Sequence, residues 1–503
     1  MATTAQAVPQ PTATSSTRTQ WRWLPRLRAA LGVMPFLVLI ALTFIFAQTD
    51  PDYWWHQRTG QLILALGQLP RTDPFSFTSL GQPWITHEWL TEVCFAFTAV
   101  HFGYVGNVVL YGTITALAVL AIRATCRLRG LGSAGATGIM LWAFAIILPL
   151  ANVRPQMVTI LFLALTALIV TAYLRGEARG LWILPLLFVF WVNLHGGYVI
   201  GLVLLGLTLL GETAARYLGR PAAPLRPLLL TTALSGAATL VSPLGVEALR
   251  YPFTYAGTGN ASQRFITEWQ SPNFHNAAFY PLAASLLVGL LIGIGRGKLR
   301  PTELLWTALF SALALQSIRH TPLYAIVVLP LLGVQLASIA PSWPGVRTRW
   351  RAPARLILPV SGWLLLLIGT IALVAGSAAL PLQAGTTPRV SGYPTGAVTY
   401  LRAHPEAQGN LFNTYSWGGY LIAELYPDHL VSIDGRADVH GDALVTQHRA
   451  AERLMPGWRD TLDTWQIGLV LIDRDGPLAT ALRDDPAWQE LYAGDVERLF
   501  ARR

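Results

Sequence analysis

Apolar residues fill most of the first three-quarters of this chain in long runs, and polar residues interrupt them at short intervals. Eleven runs approach the roughly 20 mostly apolar residues that a helix needs to cross a bilayer: 31–48, 105–122, 134–150, 157–174, 181–193, 198–210, 227–244, 281–294, 303–316, 322–339 and 356–380. The runs 181–193 and 198–210 read either as two short helices joined at His195-Gly196-Gly197 or as one interrupted span. From residue 381 the pattern changes. The run 467–472 is short, apolar and bounded by polar residues, which predicts a buried strand, and 430–433 predicts another. Helices are expected at 396–403, 443–454 and 477–484. The expected fold is therefore an α-helical polytopic membrane protein of about eleven spans with a C-terminal extracytoplasmic α/β domain. The expected organisation is a disordered basic cytoplasmic segment at 1–28, a membrane domain at 29–380 with a long first outer loop at 49–104, and the α/β domain at 381–503.

Composition agrees with a membrane setting. Of 503 residues, 53% are hydrophobic and 12% charged, and mean hydropathy is +0.45. A soluble domain carries about 25% charge. Two cysteines exclude a disulfide framework and a Cys-rich zinc site. The net charge of +10 suggests nucleic acid until the charges are given positions. With the N-terminus cytoplasmic, the inner segments hold 19 of the 36 Lys and Arg, the outer loops 6 and the tail 11. Basic residues concentrate in cytoplasmic loops. The excess charge thus marks an inner face and argues against a nucleic-acid partner. The orientation that follows is a multi-pass inner-membrane protein with its N-terminus inside and its C-terminal domain outside.

In that orientation the unusual polar motifs share the outer face. They are Asp50-Pro51-Asp52-Tyr53-Trp54-Trp55-His56, Thr86-His87-Glu88-Trp89, Asn152-Val153-Arg154-Pro155-Gln156, Asn193-Leu194-His195-Gly196-Gly197, Ser242-Pro243, a loop from Glu268 to His275, and Ser317-Ile318-Arg319-His320. Each alone reads as an interfacial belt or a snorkelling side chain. Together, ionisable groups interleaved with helix breakers at membrane depth point to one outward-facing site of carboxylates, histidines and two arginines. Two segments of the first outer loop, 54–66 and 90–101, have the pattern of helices lying in the interface plane.

These features resemble the C-type superfamily of integral membrane glycosyltransferases (GT-C). The matching stretches are 50–60, 70–89, 152–156, 191–197, 317–322 and the tail motif Tyr415-Ser416-Trp417-Gly418-Gly419-Tyr420 followed by Asp434-Gly435-Arg436-Ala437-Asp438. The resemblance implies transfer of a hexosyl or pentosyl group from a polyprenyl phosphate to a glycan, lipid or protein acceptor at the outer face. It implies Asp52 as the base, with Asp50 second, and Glu88 as the second acidic residue of the first loop, oriented by His87. Arg154, Arg319 and His320 are the residues it suggests for the carrier phosphate, and His195, His56 and Trp55 for lining the pocket. No cofactor is fixed by the resemblance, which leaves room for a divalent cation. The tail motif lacks the Asp of the Trp-Trp-Asp-Tyr-Gly motif of oligosaccharyltransferases, so sequon recognition is not carried over. Read without the resemblance, Trp417-Gly418-Gly419 predicts a tight turn against the membrane domain, and Asp434, Arg436 and Asp438 a salt-bridged turn or a cation-binding corner. A transporter or flippase of lipid-linked sugars and a non-catalytic scaffold are the competing readings. The clustering of charges at span ends, with no internal repeat, disfavours the transporter.

Overall fold

The computed structural model of the chain describes residues 50–254, 265–296, 299–339 and 392–503. The expected disordered segment 1–28 and the runs 31–48 and 356–380 lie outside these residues. The helices before residue 340 are α1 (Tyr53–Leu66), α2 (Trp89–Leu128), α3 (Ser133–Ile147), α4 (Gln156–Leu174), α5 (Leu184–Leu194), α6 (Tyr198–Tyr217), α7 (Leu225–Ala238), α8 (Val246–Thr254), α9 (Tyr280–Arg296), α10 (Pro301–Gln316), α11 (Thr321–Val327) and α12 (Leu329–Ile339). The C-terminal region contributes α13 (Thr395–Ala403), β1 (Asn410–Asn413), α14 (Gly418–Leu425), α15 (Ala437–Glu452), α16 (Trp458–Thr464), β2 (Ile467–Asp473), α17 (Pro477–Arg483), β3 (Trp488–Ala493) and β4 (Glu497–Arg502).

The expectation of eleven spans is corrected by the helix lengths. Among the described residues four helices are long and apolar enough to cross a membrane: Trp89–Leu128, Ser133–Leu150, Gln156–Leu174 and Tyr198–Tyr217. A fifth is reached if Ile318–Val327 and Leu329–Ile339, bent by 49° to each other, count as one broken span. The runs 181–193, 227–244, 281–294 and 303–316 form helices that are too short. The longest, α9, has 17 residues, which at 1.5 Å per residue rises only about 25 Å against a core of about 30 Å. Apolarity read along the sequence does not reveal where a helix stops. The turns at 239–245 stop the helix of the 227–244 run at Ala238, and Pro301 begins a new helix after a break.

Close packing holds the short helices to the long ones. Gly211 of α6 lies against Thr302 of α10 so closely that a Cβ there would overlap the Thr302 backbone. Small residues permit such backbone approach where lipid offers no hydrophobic drive. Beside this contact the buried Glu212 accepts hydrogen bonds from Thr302 Oγ1 and Ala223 N, both at 2.7 Å. Gly103, at φ 64° and ψ −169°, kinks α2 and separates its first limb, the expected interfacial segment 90–101, from the apolar limb that follows.

The C-terminal region is a four-stranded mixed sheet, order β1-β2-β4-β3, with β1 parallel to β2 and the other pairs antiparallel. The run 467–472 lies in β2. The run 430–433 forms only isolated bridges, from Val431 to Leu411 and to Ser76. Side chains replace the ladder there: Ser432 N donates to Asn413 Oδ1 (2.9 Å) and Asn413 N to Ser432 Oγ (3.2 Å). Those bridges matter for position. Phe77 N donates to Val431 O (3.0 Å), Val431 N to Phe75 O (3.1 Å) and Thr78 Oγ1 to Ser432 O (2.6 Å). The segment after α1 is thereby joined to the C-terminal region. Arg436 secures the joint. Buried, it pairs with Asp73 (2.8 Å) and Asp434 (2.6 Å) and lies over the rings of Trp84, Phe75 and Trp55.

Candidate active site

The joint brings residues distant in sequence around one cavity of about 290 Å³, walled by Asp50, Asp52, Arg154, Glu268, Trp269 and Arg319 on one side and by Tyr415, Ser416, Gly419, Gly435 and Ala437 on the other. Asp52 precedes the first turn of α1, and Asp50 folds back so that Asp52 N donates to its Oδ1 (2.9 Å). Arg154 lies in the turn between α3 and α4. Glu268 and Trp269 form a short turn stitched to the end of α10: Ser317 Oγ donates to Glu268 O (2.8 Å) and Ile318 N to Gln270 O (2.9 Å).

The electrostatics of the cavity are organised by Arg154. Its Nε lies 3.3 Å from Asp50 Oδ2, its Nη2 3.4 Å from Asp52 Oδ2, and its Nη1 contacts Glu268 Oε1. Glu268 is shared with Arg319, whose Nη2 is 3.2 Å from Oε2 and whose guanidinium lies 4.7 Å from the centre of the Trp269 ring. Burial, with the neighbouring Asp50 charge second, pushes the Asp52 carboxyl from 3.8 up to about 7, against the pull of Arg154 and of the Trp55 indole N–H that donates to its Oδ1 at 3.1 Å. Burial also works against the Glu268 carboxylate, but Arg154 and Arg319 outweigh it and hold Glu268 below the ordinary range.

A second cluster lies outside this cavity. Glu88 is a hub for three imidazoles: His195 Nε2 at 3.2 Å, His56 Nε2 at 3.5 Å and His87 Nε2 at 3.5 Å. Gly197 N donates to His195 Nδ1 (2.9 Å), so the proton belongs on Nε2, directed at Glu88. Burial drives His195 down to about 4 and His56 to about 3, so both are neutral at physiological pH. Glu88 is held low despite its burial, chiefly by the His87 charge, and His87 is raised by Glu88 against its own burial. His87 also stacks on Tyr251 at 3.8 Å. This is an ion pair with two neutral imidazoles as hydrogen-bonding supports. Trp55 connects the clusters, bonded to Asp52 on one side and lying 3.6 Å from the His56 ring on the other.

Asp50, Asp52, Arg154 and Arg319 are thus brought together around the cavity, with Trp55 bonded to Asp52, while Glu88, His56, His87 and His195 form a buried group behind it. His320 stands at the edge, with its ring 6.1 Å from that of Trp269. Sequence reasoning did not select Glu268, Trp269 or Tyr415. Glu268 carried one signal, as a charged residue among the outer-loop polar motifs. Tyr415 was quoted only within the tail motif, yet its hydroxyl is buried without a hydrogen-bond partner among the described residues, and burial together with the Asp52 charge raises it. The tail glycines owe their place to close approach. A Cβ at Gly435 would overlap Asp52 Oδ1, and one at Gly419 would sit 2.6 Å from Pro51 O. Of Asp434, Arg436 and Asp438, the first two pair with each other, and Asp438 lies in the first turn of α15. Among the described residues no group of three or more His, Cys, Asp and Glu side chains is disposed to hold a metal ion. At the cavity, the carboxylates face a guanidinium instead.

The architecture is GT-C-like: a polytopic membrane fold with a soluble C-terminal region. No family model matches the sequence, and no curated protein matches it. Solved structures of that fold do. The oligosaccharyltransferase of Archaeoglobus fulgidus in its apo form is similar with a TM-score of 0.60 at 12% identity, over 90% of this chain and 70% of that one. ArnT from Cupriavidus metallidurans, solved bound to undecaprenyl phosphate, is similar at 0.51 and 15%, over 95% and 98%. The mycobacterial arabinofuranosyltransferase AftD is similar at 0.50 and 15%, over 94% of this chain and 41% of that one.

Proposed function

We propose that this chain is a glycosyltransferase that moves a sugar from a polyprenyl phosphate carrier to an acceptor hydroxyl at the outer face of the cytoplasmic membrane. The observation that carries the reading is Asp52. It is a carboxylate in a cavity at the junction of the membrane helices and the C-terminal region, titrating near 7, where a general base is most effective. In the proposed step the acceptor oxygen attacks the anomeric carbon as its proton passes to Asp52. The bond from that carbon to the carrier phosphate oxygen breaks, and the phosphate leaves with the electron pair. Arg319, the more exposed of the two cavity arginines, faces that developing charge. Arg154 is engaged with three carboxylates, so we assign it to holding Asp50, Asp52 and Glu268 rather than to the phosphate. Glu88 and its histidines support the wall behind Trp55. Membrane fractions supplied with polyprenyl-phosphate sugars test the reading. Transfer by the native chain and its loss in D52N, with the protein still folded and membrane-inserted, is the expected result. An active D52N would remove Asp52 as base.

A further inference from the structure

We propose that the Arg154 guanidinium is this chain's own substitute for a divalent cation, so that Asp50, Asp52 and Glu268 form a cation site already filled from within. Three carboxylates from two separate segments converge on one side chain, and each meets a different nitrogen: Asp50 on Nε, Asp52 on Nη2 and Glu268 on Nη1. Arg154 is only 9% exposed, so the pairing is not a surface accident. A hard divalent ion draws six or more oxygens to about 2.0–2.6 Å around one point. Here the oxygens are spread around a planar fork. The charge count agrees. Asp50 and Glu268 balance Arg154 and Arg319, and Asp52 shares a proton near neutral pH. A divalent ion beside Arg154 would set four positive charges against three carboxylates, so the ion and the guanidinium are alternatives for one place. A guanidinium stays charged at every working pH and cannot dissociate, so the carboxylates keep their positions between turnovers.

The inference does not depend on sugar transfer, and its test reads metal binding. Purified full-length protein is titrated with Mn²⁺, an ion suited to carboxylate ligands, and free Mn²⁺ is followed by electron paramagnetic resonance. The native chain should show no stoichiometric site. R154M should acquire one, tighter than native binding by on the order of tenfold or more, and R154M/D52N should lose it again. R154Q serves the same purpose if R154M does not fold. Native protein that binds one Mn²⁺, with D52N or E268Q abolishing the binding, would overturn the inference. So would a folded R154M or R154Q chain that binds none. If the chain transfers sugar, a second readout follows: activity should survive exhaustive chelation, and R154K should restore part of what R154M loses. Native activity that is abolished by chelation and restored by Mn²⁺ would likewise overturn it.

Discussion

Asp52→Asn separates activity from stability, and the two should move in opposite directions. Asn keeps the shape and still accepts from the Trp55 indole N–H, but it has no charge and cannot take a proton. A carboxyl displaced from 3.8 to about 7 carries its charge in the folded state at a penalty of ~4 kcal/mol, at about 1.36 kcal/mol per pH unit. The sign follows from linkage. Below 3.8 the group is protonated whether folded or unfolded, and there is no penalty. Between 3.8 and 7 only the unfolded chain ionises, so stability declines as pH rises. Above 7 the penalty is constant. D52N removes it. The variant should match the native protein near pH 4 and exceed it at pH 8 by up to ~4 kcal/mol, or roughly 4 °C in Tm for a chain of this size. Turnover should fall by about 10² to 10⁴. Native activity should rise with pH and level off above about 7. Thermal unfolding across pH 4–8, paired with a transfer assay, measures both. A Tm gap that does not change with pH, or an active D52N, would refute the reasoning.

Other substitutions probe the remaining parts. R319M should reduce kcat/KM for a phosphate-linked donor by about 10- to 100-fold, the value of one charge-assisted pair, and R319K should recover part of it. In G435A the new methyl meets Asp52 Oδ1, so a loss of about 1–3 kcal/mol and of most activity is expected, read by Tm and turnover. R436M strands the buried Asp73 and Asp434 carboxylates at a cost of about 3–5 kcal/mol. Limited proteolysis should then cut within the 70–84 segment far faster than in the native chain.

Much of the site was legible because its chemistry is local and charged. Asp50, Asp52, Arg154 and Arg319 each stand beside a proline, a helix breaker or a span end, and the shared outer face was enough to group them. The division into two clusters was not legible. Whether His195 faces Asp52 or Glu88 depends on the Gly197 N–H that fixes its ring, a contact set by backbone geometry. Tyr415 stood in the quoted tail motif, but its place in the cavity wall was not legible, because it depends on the packing of the tail against Pro51 and Asp52. The span count failed because hydropathy counts apolar residues and is blind to helix ends. The chain uses short apolar helices, α5, α7, α9 and α10, packed against long ones. Strands β3 and β4 escaped notice because a register shift between Glu490 and Tyr492 and the buried Glu497 break their alternation.

The link between Arg436 and Asp73 spans 363 residues of sequence, and this has a consequence for biosynthesis. At 5–20 residues per second, the ribosome needs on the order of half a minute to deliver Arg436 after Asp73 has emerged. Throughout that interval the first loop has its acidic groups and aromatic rings but not its cap, and the last wall of the cavity does not exist. A chain stalled or cut before residue 430 would reach the membrane with its helices inserted and its chemistry unassembled. Enclosure of Asp52 therefore waits on translation past Ala437, the last residue of the cavity wall.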